Sequence, residues 1–304
     1  MPLHKSGLKL VKANLLCFLA AFSWSLGFPS GESLMESWDF LSLVVLRLVP
    51  GTLALFIFWR LVEGGIRVST TSWIKGFIIG SVGFGLGTTL LLYGQKQSSP
   101  VTPAVAAAMM PVAGGLLEVF FDNKRISITF FIGLAFAVTG GLFAAGVQLD
   151  NYAVNIGFFW CLSAVCLYAW ATRETNRRLS ELSSLGQTVI TLFGAAMFVS
   201  IMLSFAAFIF PAERQYGSFD IEALIIMFAF SILSVSISQP CWIAGARGLG
   251  IAVASFHLNA VPFYVMAVLV FLGNEMFDLF KLLGVVLIAV GVFLAQKQSA
   301  SKKI

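Results

Sequence analysis

Residues 94–140 read GQKQSSPVTPAVAAAMMPVAGGLLEVFFDNKRISITFFIGLAFAVTG, and residues 245–291 read GARGLGIAVASFHLNAVPFYVMAVLVFLGNEMFDLFKLLGVVLIAVG. Laid over each other without a gap, Gly94 meets Gly245, Lys96 meets Arg247, Pro111 meets Pro262 and Asn123 meets Asn274. Gly133 and Gly140 likewise meet Gly284 and Gly291, always 151 residues apart. Upstream, Gly80, Gly83 and Gly87 fall on Ser231, Ser234 and Ser238, so one small-residue face recurs first as glycine and then as serine. Self-similarity at a fixed spacing marks a duplicated architecture. Both copies are too apolar for water.

The rest of the composition agrees. Hydrophobic residues make up 59% of the 304 and charged residues 11%, against roughly 25% charged in a soluble domain. Mean hydropathy is +0.93. The length suits about ten spanning helices of ~20 residues with short connections. The spans read as 13–31, 40–60, 73–93, 101–120, 127–147, 155–173, 184–210, 221–242, 251–272 and 278–296. The expected fold is an all-α membrane protein of ten transmembrane helices in two inverted five-helix repeats, 1–148 and 149–304. An offset of five spans is odd, so the second copy must enter the membrane from the opposite side, a plan that recurs among secondary transporters.

The pI of about 9.1 follows from topology. With a cytoplasmic N-terminus, fifteen of the nineteen Lys and Arg fall inside, from Lys5, Lys9 and Lys12 through Arg60, Arg173, Arg177, Arg178 and Arg247 to Lys303. Lys96, Arg214 and Lys281 fall outside, and Arg47 sits within a span. The positive-inside rule selects this orientation, with both termini cytoplasmic and no nucleic-acid partner implied. The basic start ahead of Ala13–Phe28 resembles a signal peptide, but it lacks a small-x-small cleavage site and many spans follow, so a retained first helix is expected. Cys17, Cys161, Cys166 and Cys241 sit in apolar runs without metal-ligand spacing, and buried thiols behave as small hydrophobes. No metal or cofactor is called for.

Trp38, Trp59, Trp73, Trp160, Trp170 and Trp242 fall near span ends, where indole rings prefer to sit. Trp24 lies ~16 Å into the first helix, where its N–H wants a partner or a wet cavity. Cavity wall and packed core are both open to it. Pro111 and Pro262 remove the hydrogen bonds to the carbonyls of Ala107 and Leu258, and carbonyls freed at mid-membrane sit against protein or a wet cavity. Ser255, Asn259 and Pro262 share one face at helical spacing. Asn259, which matches Ala108, either holds a polar group of a substrate or bonds a neighbouring helix. His257 lies about 200° around from Asn259 and is either a packed donor or a proton carrier. Glu118 is the carboxylate well within a span, a functional candidate by default, although one turn from the boundary it also has room to snorkel. Arg47, ~10 Å below its helix end, either anchors an anion or ties helices together through carbonyls. The Gly80, Gly83, Gly87 stripe allows close helix approach.

At the repeated unit the sequence resembles the drug/metabolite transporter superfamily, specifically its EamA-type ten-helix members. The likeness is carried by "SSPVTPAVAAAMMPV" leading to "GLAFAVTGG", by "HLNAVPFYVMAVLVFLGNE" leading to "LLGVVLIAVGVFL", and by Arg47 in "VVLRLVPG". Members often show Gly-Glu after the fourth and ninth helices. Here Asn274-Glu275 keeps the acid and Asn123-Lys124 does not. The resemblance implies a cavity among helices one, three, four, six, eight and nine, and movement of small organic metabolites such as amino acids or related amphipathic compounds. Trp24, Tyr93, Tyr168, Ser238, Ser255 and Asn259 are the substrate-binding candidates. Glu118, His257 and Arg47 are the coupling or gating candidates.

The function expected is a secondary transporter in a bacterial inner membrane, exporting such solutes by alternating access, with a homodimer as an option. An exchanger or importer of the same fold is the alternative. An enzyme would need a cluster such as HExxH or a nucleophile–base pair, and His257 and Glu118 stand apart in the sequence. A channel would show a charged ring or filter, and no such pattern is visible.

Overall fold

The computed structural model describes residues 2–64, 68–98, 101–107, 109–123, 128–144, 156–210 and 215–271, with Leu283, Val286, Leu287, Val290, Gly291 and Leu294. Among the described residues every regular element is helical. The expected span 278–296, apart from those single positions, lies outside them, as do Ala108, Lys124, Asn274, Glu275, Gly284, Arg214 and Lys281.

Start and stop signals explain the helix ends. Helix α1 (Pro2–Ser25) runs through one turn residue into α2 (Gly27–Met35). Helix α3 (Phe40–Glu63) starts where the Asp39 carboxylate accepts the N–H groups of Leu41 and Ser42, and stops at Gly64 with φ 65°. Such caps satisfy N–H groups the first turn leaves unpaired. Ser69 opens α4 (Thr70–Ile79) in the same way. A π-helical segment, Gly80–Gly85, joins α4 to α5 (Leu86–Lys96). Next come α6 (Val101–Ala107), α7 (Met110–Asp122), α8 (Ile128–Ala144) and α9 (Ile156–Arg178). Ser183 caps α10 (Ser184–Ile209), and Asp220 caps α11 (Ile221–Met227). A second π-helical segment, Phe228–Ile237, leads into α12 (Ser238–Leu249), which ends at Gly250 with φ 84°. Last are α13 (Ile251–Ala254), a 3-10 stretch Ser255–Ala260, and α14 (Val261–Phe271).

Among the described residues, seven helical stretches are long and apolar enough to cross a membrane: Leu8–Met35, Phe40–Glu63, Thr70–Lys96, Ile156–Arg178, Ser184–Ile209, Ile221–Leu249 and Ile251–Phe271. The surface is apolar where a soluble protein's would be charged; Phe208 is 86% and Phe271 89% exposed. The described residues thus form an all-helical integral membrane protein. Several ends differ from the sequence reading. The eighth span continues to Leu249, because Arg247 and its neighbours lie on a helix whose stop signal is Gly250, and Trp242 therefore falls inside the span instead of at its end.

Local structure repeats at the spacing of the sequence repeat. The π segment at 80–85 lands inside the one at 228–237. Helix α7 begins at Met110 and α14 at Val261, each placing its proline second, where a missing N–H is harmless. Neither proline lies inside an unbroken α-helix: Pro111 follows a turn residue, Met109, and Pro262 follows the 3-10 stretch that carries the helix on from α13.

Packing repeats as well. Helix α1 lies along α12 and α5 along α9. A Cβ on Gly245 would overlap Cys17 Sγ, and one on Gly94 would overlap Cys161 Sγ, so both helix pairs approach over a glycine. A Cβ on Gly80 would overlap the Thr191 carbonyl. At the matching position Ser231 has room, accepting from Gly51 N (2.8 Å) and donating to the Arg47 carbonyl (2.9 Å). The hydroxyl fills a turn beside Pro50 that the proline weakens.

Candidate functional site

The cavity forms where α1, α5 with its π segment, the α6–α7 break, α9, α12 and the 3-10 stretch converge. Trp24, Phe84, Tyr168 and Trp242 supply aromatic walls, Met110 and Leu258 an aliphatic side, and Ser238 and Gln239 polar groups. Its volume is ≈ 40 Å³, more than the ~10–15 Å³ of probe volume that one water needs.

Hydrogen bonds fix the aromatics. The Tyr168 and Thr88 hydroxyls lie 3.0 Å apart. Trp242 Nε1 donates to Thr172 Oγ1 at 2.8 Å, and that hydroxyl donates to the Tyr168 carbonyl at 2.7 Å. Trp24 meets Tyr168 edge to face with centroids 6.3 Å apart, and Phe84 lies 6.1 Å from the same ring. No charged side chain is among the described lining residues. Such a lining suits an apolar or aromatic body with one or two hydrogen-bonding groups.

Trp24, Tyr168 and Ser238 therefore come together from three helices. Tyr93 lies elsewhere, 37% exposed and packed between Phe40 and Trp160. Ser255 and Asn259 are fully buried outside the lining set. The common face expected for Ser255, Asn259 and Pro262 does not form. A 3-10 winding aligns i with i+3 instead of i+4; Ser255 Oγ donates to the Ile251 carbonyl at 2.6 Å, and Leu258 is the residue of this stretch that reaches the cavity. Neither amide atom of Asn259 has a protein partner. His257 Nδ1 lies 3.1 Å from the Ala254 carbonyl.

Arg47 is 2% exposed. Its Nη1 donates to the Gly27 carbonyl at 3.2 Å and its Cζ sits 4.8 Å from the Phe230 centroid, while Nη2 has no partner. A Cβ at Gly27 would stand 2.6 Å from both guanidinium nitrogens, so a side chain there would have to displace the guanidinium. Glu118 does not snorkel. Its Oε1 accepts from Ile251 N (3.0 Å) and Ala252 N (3.5 Å), capping α13. Nearby, Arg173 bonds Asp122 and Glu174, and Glu174 also takes Arg178. Glu174 is 3% exposed, a buried carboxylate within Ile156–Arg178, missed because the sixth span was read as ending at residue 173.

Sequence reasoning also missed Phe84, Met110, Gln239, Trp242 and Leu258. Trp242 stands one helical turn from Ser238 and Gln239, a shared face readable once the span is known to continue.

The described helices form a membrane bundle around an uncharged aromatic cavity, and likeness to known proteins makes it a membrane transporter rather than an enzyme. The chain belongs to the EamA-like transporter family, whose model matches residues 11–145 and again 155–296. Over 98 residues it is 35% identical to a probable 4-amino-4-deoxy-L-arabinose-phosphoundecaprenol flippase subunit, ArnF, of Pseudomonas fluorescens. That match covers 30% of this chain and 71% of the relative. One solved crystal structure shares the fold with a TM-score of 0.73 at 19% identity, covering 96% of this chain and 98% of the other.

Proposed function

We propose that this protein is a secondary carrier that moves small amphipathic or zwitterionic organic solutes by alternating access, with export as the working direction. In this reading the chain forms ten spans in two inverted five-helix halves, 1–148 and 149–304, in a bacterial inner membrane with both termini cytoplasmic. The observation that carries it is the reciprocal packing of matched glycines, Gly245 over Cys17 and Gly94 over Cys161. Each half thus lends its third helix to the first helix of the other. A pair built so has two equivalent ways to rock about its cavity. Trp24, Tyr168 and Ser238 contact the solute. Asn259, an amide lacking any protein partner beside the helix break, turns to it when the cavity widens. Tyr93 and Ser255 act indirectly, through packing. Arg47 anchors α2 to α3, Glu118 serves as a gate, and His257 is the remaining candidate for proton coupling.

The test is reconstitution in proteoliposomes with a panel of labelled amino acids and amphipathic amines, with and without a pH gradient. Saturable uptake with counterflow is expected. Flux linear in concentration would establish a pore instead, and obligatory counter-transport would establish an exchanger. The ArnF relative, named for a lipid-linked amino sugar, favours a second reading in which the solute is itself lipid-like.

A further inference from the structure

A groove of ≈ 920 Å³ lies at the other end of the broken ninth span from the Glu118 cap, between α2, α11 and α14. Its walls are apolar, with Ile225, Val265 and Leu269 among them. Glu32 and Glu222 are the only charged groups among its described lining residues, and both are exposed at helix ends. Glu32 accepts a hydrogen bond from Gln95 Nε2 at 3.1 Å, and neither carboxylate takes part in a described ion pair. From Glu222 to Ala229 the wall descends about 10 Å at 1.5 Å per residue. Anionic groups thus mark the mouth, with apolar surface below. The opposite end differs: Leu269 stands 151 residues after Glu118, so where α7 bonds α13 through a carboxylate, α14 offers only hydrocarbon.

We propose that this groove binds amphipathic cations, the ammonium group at Glu32 and Glu222 and the apolar body along Ile225, Val265 and Leu269. An aliphatic wall attracts any hydrocarbon chain, and the uncompensated carboxylates select the sign of the head group. Phe28, next to the groove residue Pro29, is fully buried and meets Trp24 of the central cavity edge to face at 5.0 Å, and the two sites share no lining residue. Resting on the carrier reading above, the inference narrows the solute class to amine-bearing amphipaths and makes the groove the place where they are held before or after passage.

The experiment measures binding to the full chain in nanodiscs of zwitterionic lipid. The probes are a fluorescent alkyltrimethylammonium and an alkyl sulfate with the same chain and fluorophore. The cation is expected to bind the wild type more tightly than the anion. Glu32→Gln with Glu222→Gln should weaken the cation about tenfold, the scale two partly exposed ion pairs allow, and leave the anion unchanged. Glu222→Lys, a change at an exposed position that folding tolerates, should shift preference toward the sulfate. Val265→Trp, filling the groove, should weaken both probes. Equal binding of the two probes to wild type, or undiminished cation binding in the Gln pair, overturns the proposal. Binding requires no turnover, so a protein that binds the cation yet shows no saturable transport refutes the carrier and not the groove.

Discussion

Asp122 at the end of α7 and Arg173 near the end of α9 form a two-point ion pair, Oδ1 to Nη2 at 2.5 Å and Oδ2 to Nε at 3.2 Å. The Phe121 ring lies 4.9 Å from the same guanidinium. With Glu118 capping α13 one turn earlier, α7 is bonded to both α9 and the ninth span at one end of the molecule. Arg173→Ala leaves Asp122 and Glu174 short of a partner. We expect a loss of ~2 kcal/mol, below the 3–5 kcal/mol of fully buried pairs because the Asp122 side chain is 33% exposed. Arg178→Ala, at a residue 58% exposed, should cost much less. Thermal unfolding of the two variants in detergent compares them directly.

The two glycine contacts should respond differently to relief. At Gly245 the tightest neighbour is the Cys17 side chain, the nearby main-chain atoms standing 3.2 Å off; at Gly94 the Gly157 carbonyl is also only 2.6 Å away. Gly245→Ala should destabilise, and Cys17→Ala in the same chain should restore much of the loss. Gly94→Ala should not be rescued by Cys161→Ala, since a carbonyl cannot be trimmed. Yield of monodisperse protein across the two double-mutant cycles reads the contrast.

In the cavity, Trp242→Phe keeps the ring and removes the donor to Thr172. We expect the half-saturation concentration for counterflow to rise about fivefold, the scale of one hydrogen bond near 1 kcal/mol. Thr172→Val should reproduce it, since both changes release the same indole. If Thr172→Val leaves saturation unaltered while Trp242→Phe raises it, the indole N–H serves the solute directly.

Ser231→Ala removes a hydroxyl that bridges Gly51 N and the Arg47 carbonyl. A loss of about 1 kcal/mol is expected, typical of interhelical bonds within membranes. Faster hydrogen exchange at Gly51 would place the damage in the turn beside Pro50.

Glu181, outside the spans, is held below the usual carboxylate range by its own backbone N–H and by the Ser72 hydroxyl, which donates to it at 2.7 Å. A depressed folded pKa contributes stability that is present above the unfolded pKa and lost as pH falls through the folded one. The melting temperature of wild type should therefore drop toward that of Glu181→Gln on acidification below about pH 4, the ordinary Glu range, with the gap between them widest at neutral pH.

Much of the fold was legible because its signals are local. Spans read to begin at 40, 184 and 221 do begin there, after the caps Asp39, Ser183 and Asp220, whereas the ends at Gly64 and Gly250 and the start after Ser69 were set a few residues off. Pro111 and Pro262 marked the breaks, although not their form. The choice between a kink and a restart depends on how neighbouring helices replace the freed bonds, which no single stretch encodes. The site was half legible. Trp24 was suspect from its depth alone, since an indole there needs a reason. Trp242 and Glu174 were hidden by span ends read a few residues early. Over Ile251–Phe271 the error was of period: 100° per residue put Ser255 and Asn259 together, whereas the winding from Ser255 to Ala260 is 3-10 and Leu258 is the residue that lines the cavity.

By itself the sequence determined the solvent, the family and the matched spacing of 151 residues, because apolar length, end signals and duplication are written along the chain. Only the tertiary structure decided what happens at positions that match at that spacing. At one place packing leaves no space at Gly80 against a carbonyl; at its match it leaves Ser231 room to bond Arg47 and Gly51. One end closes on Glu118 and Asp122, and the other keeps a groove. Such differences arise from the distance between surfaces that the sequence never places side by side.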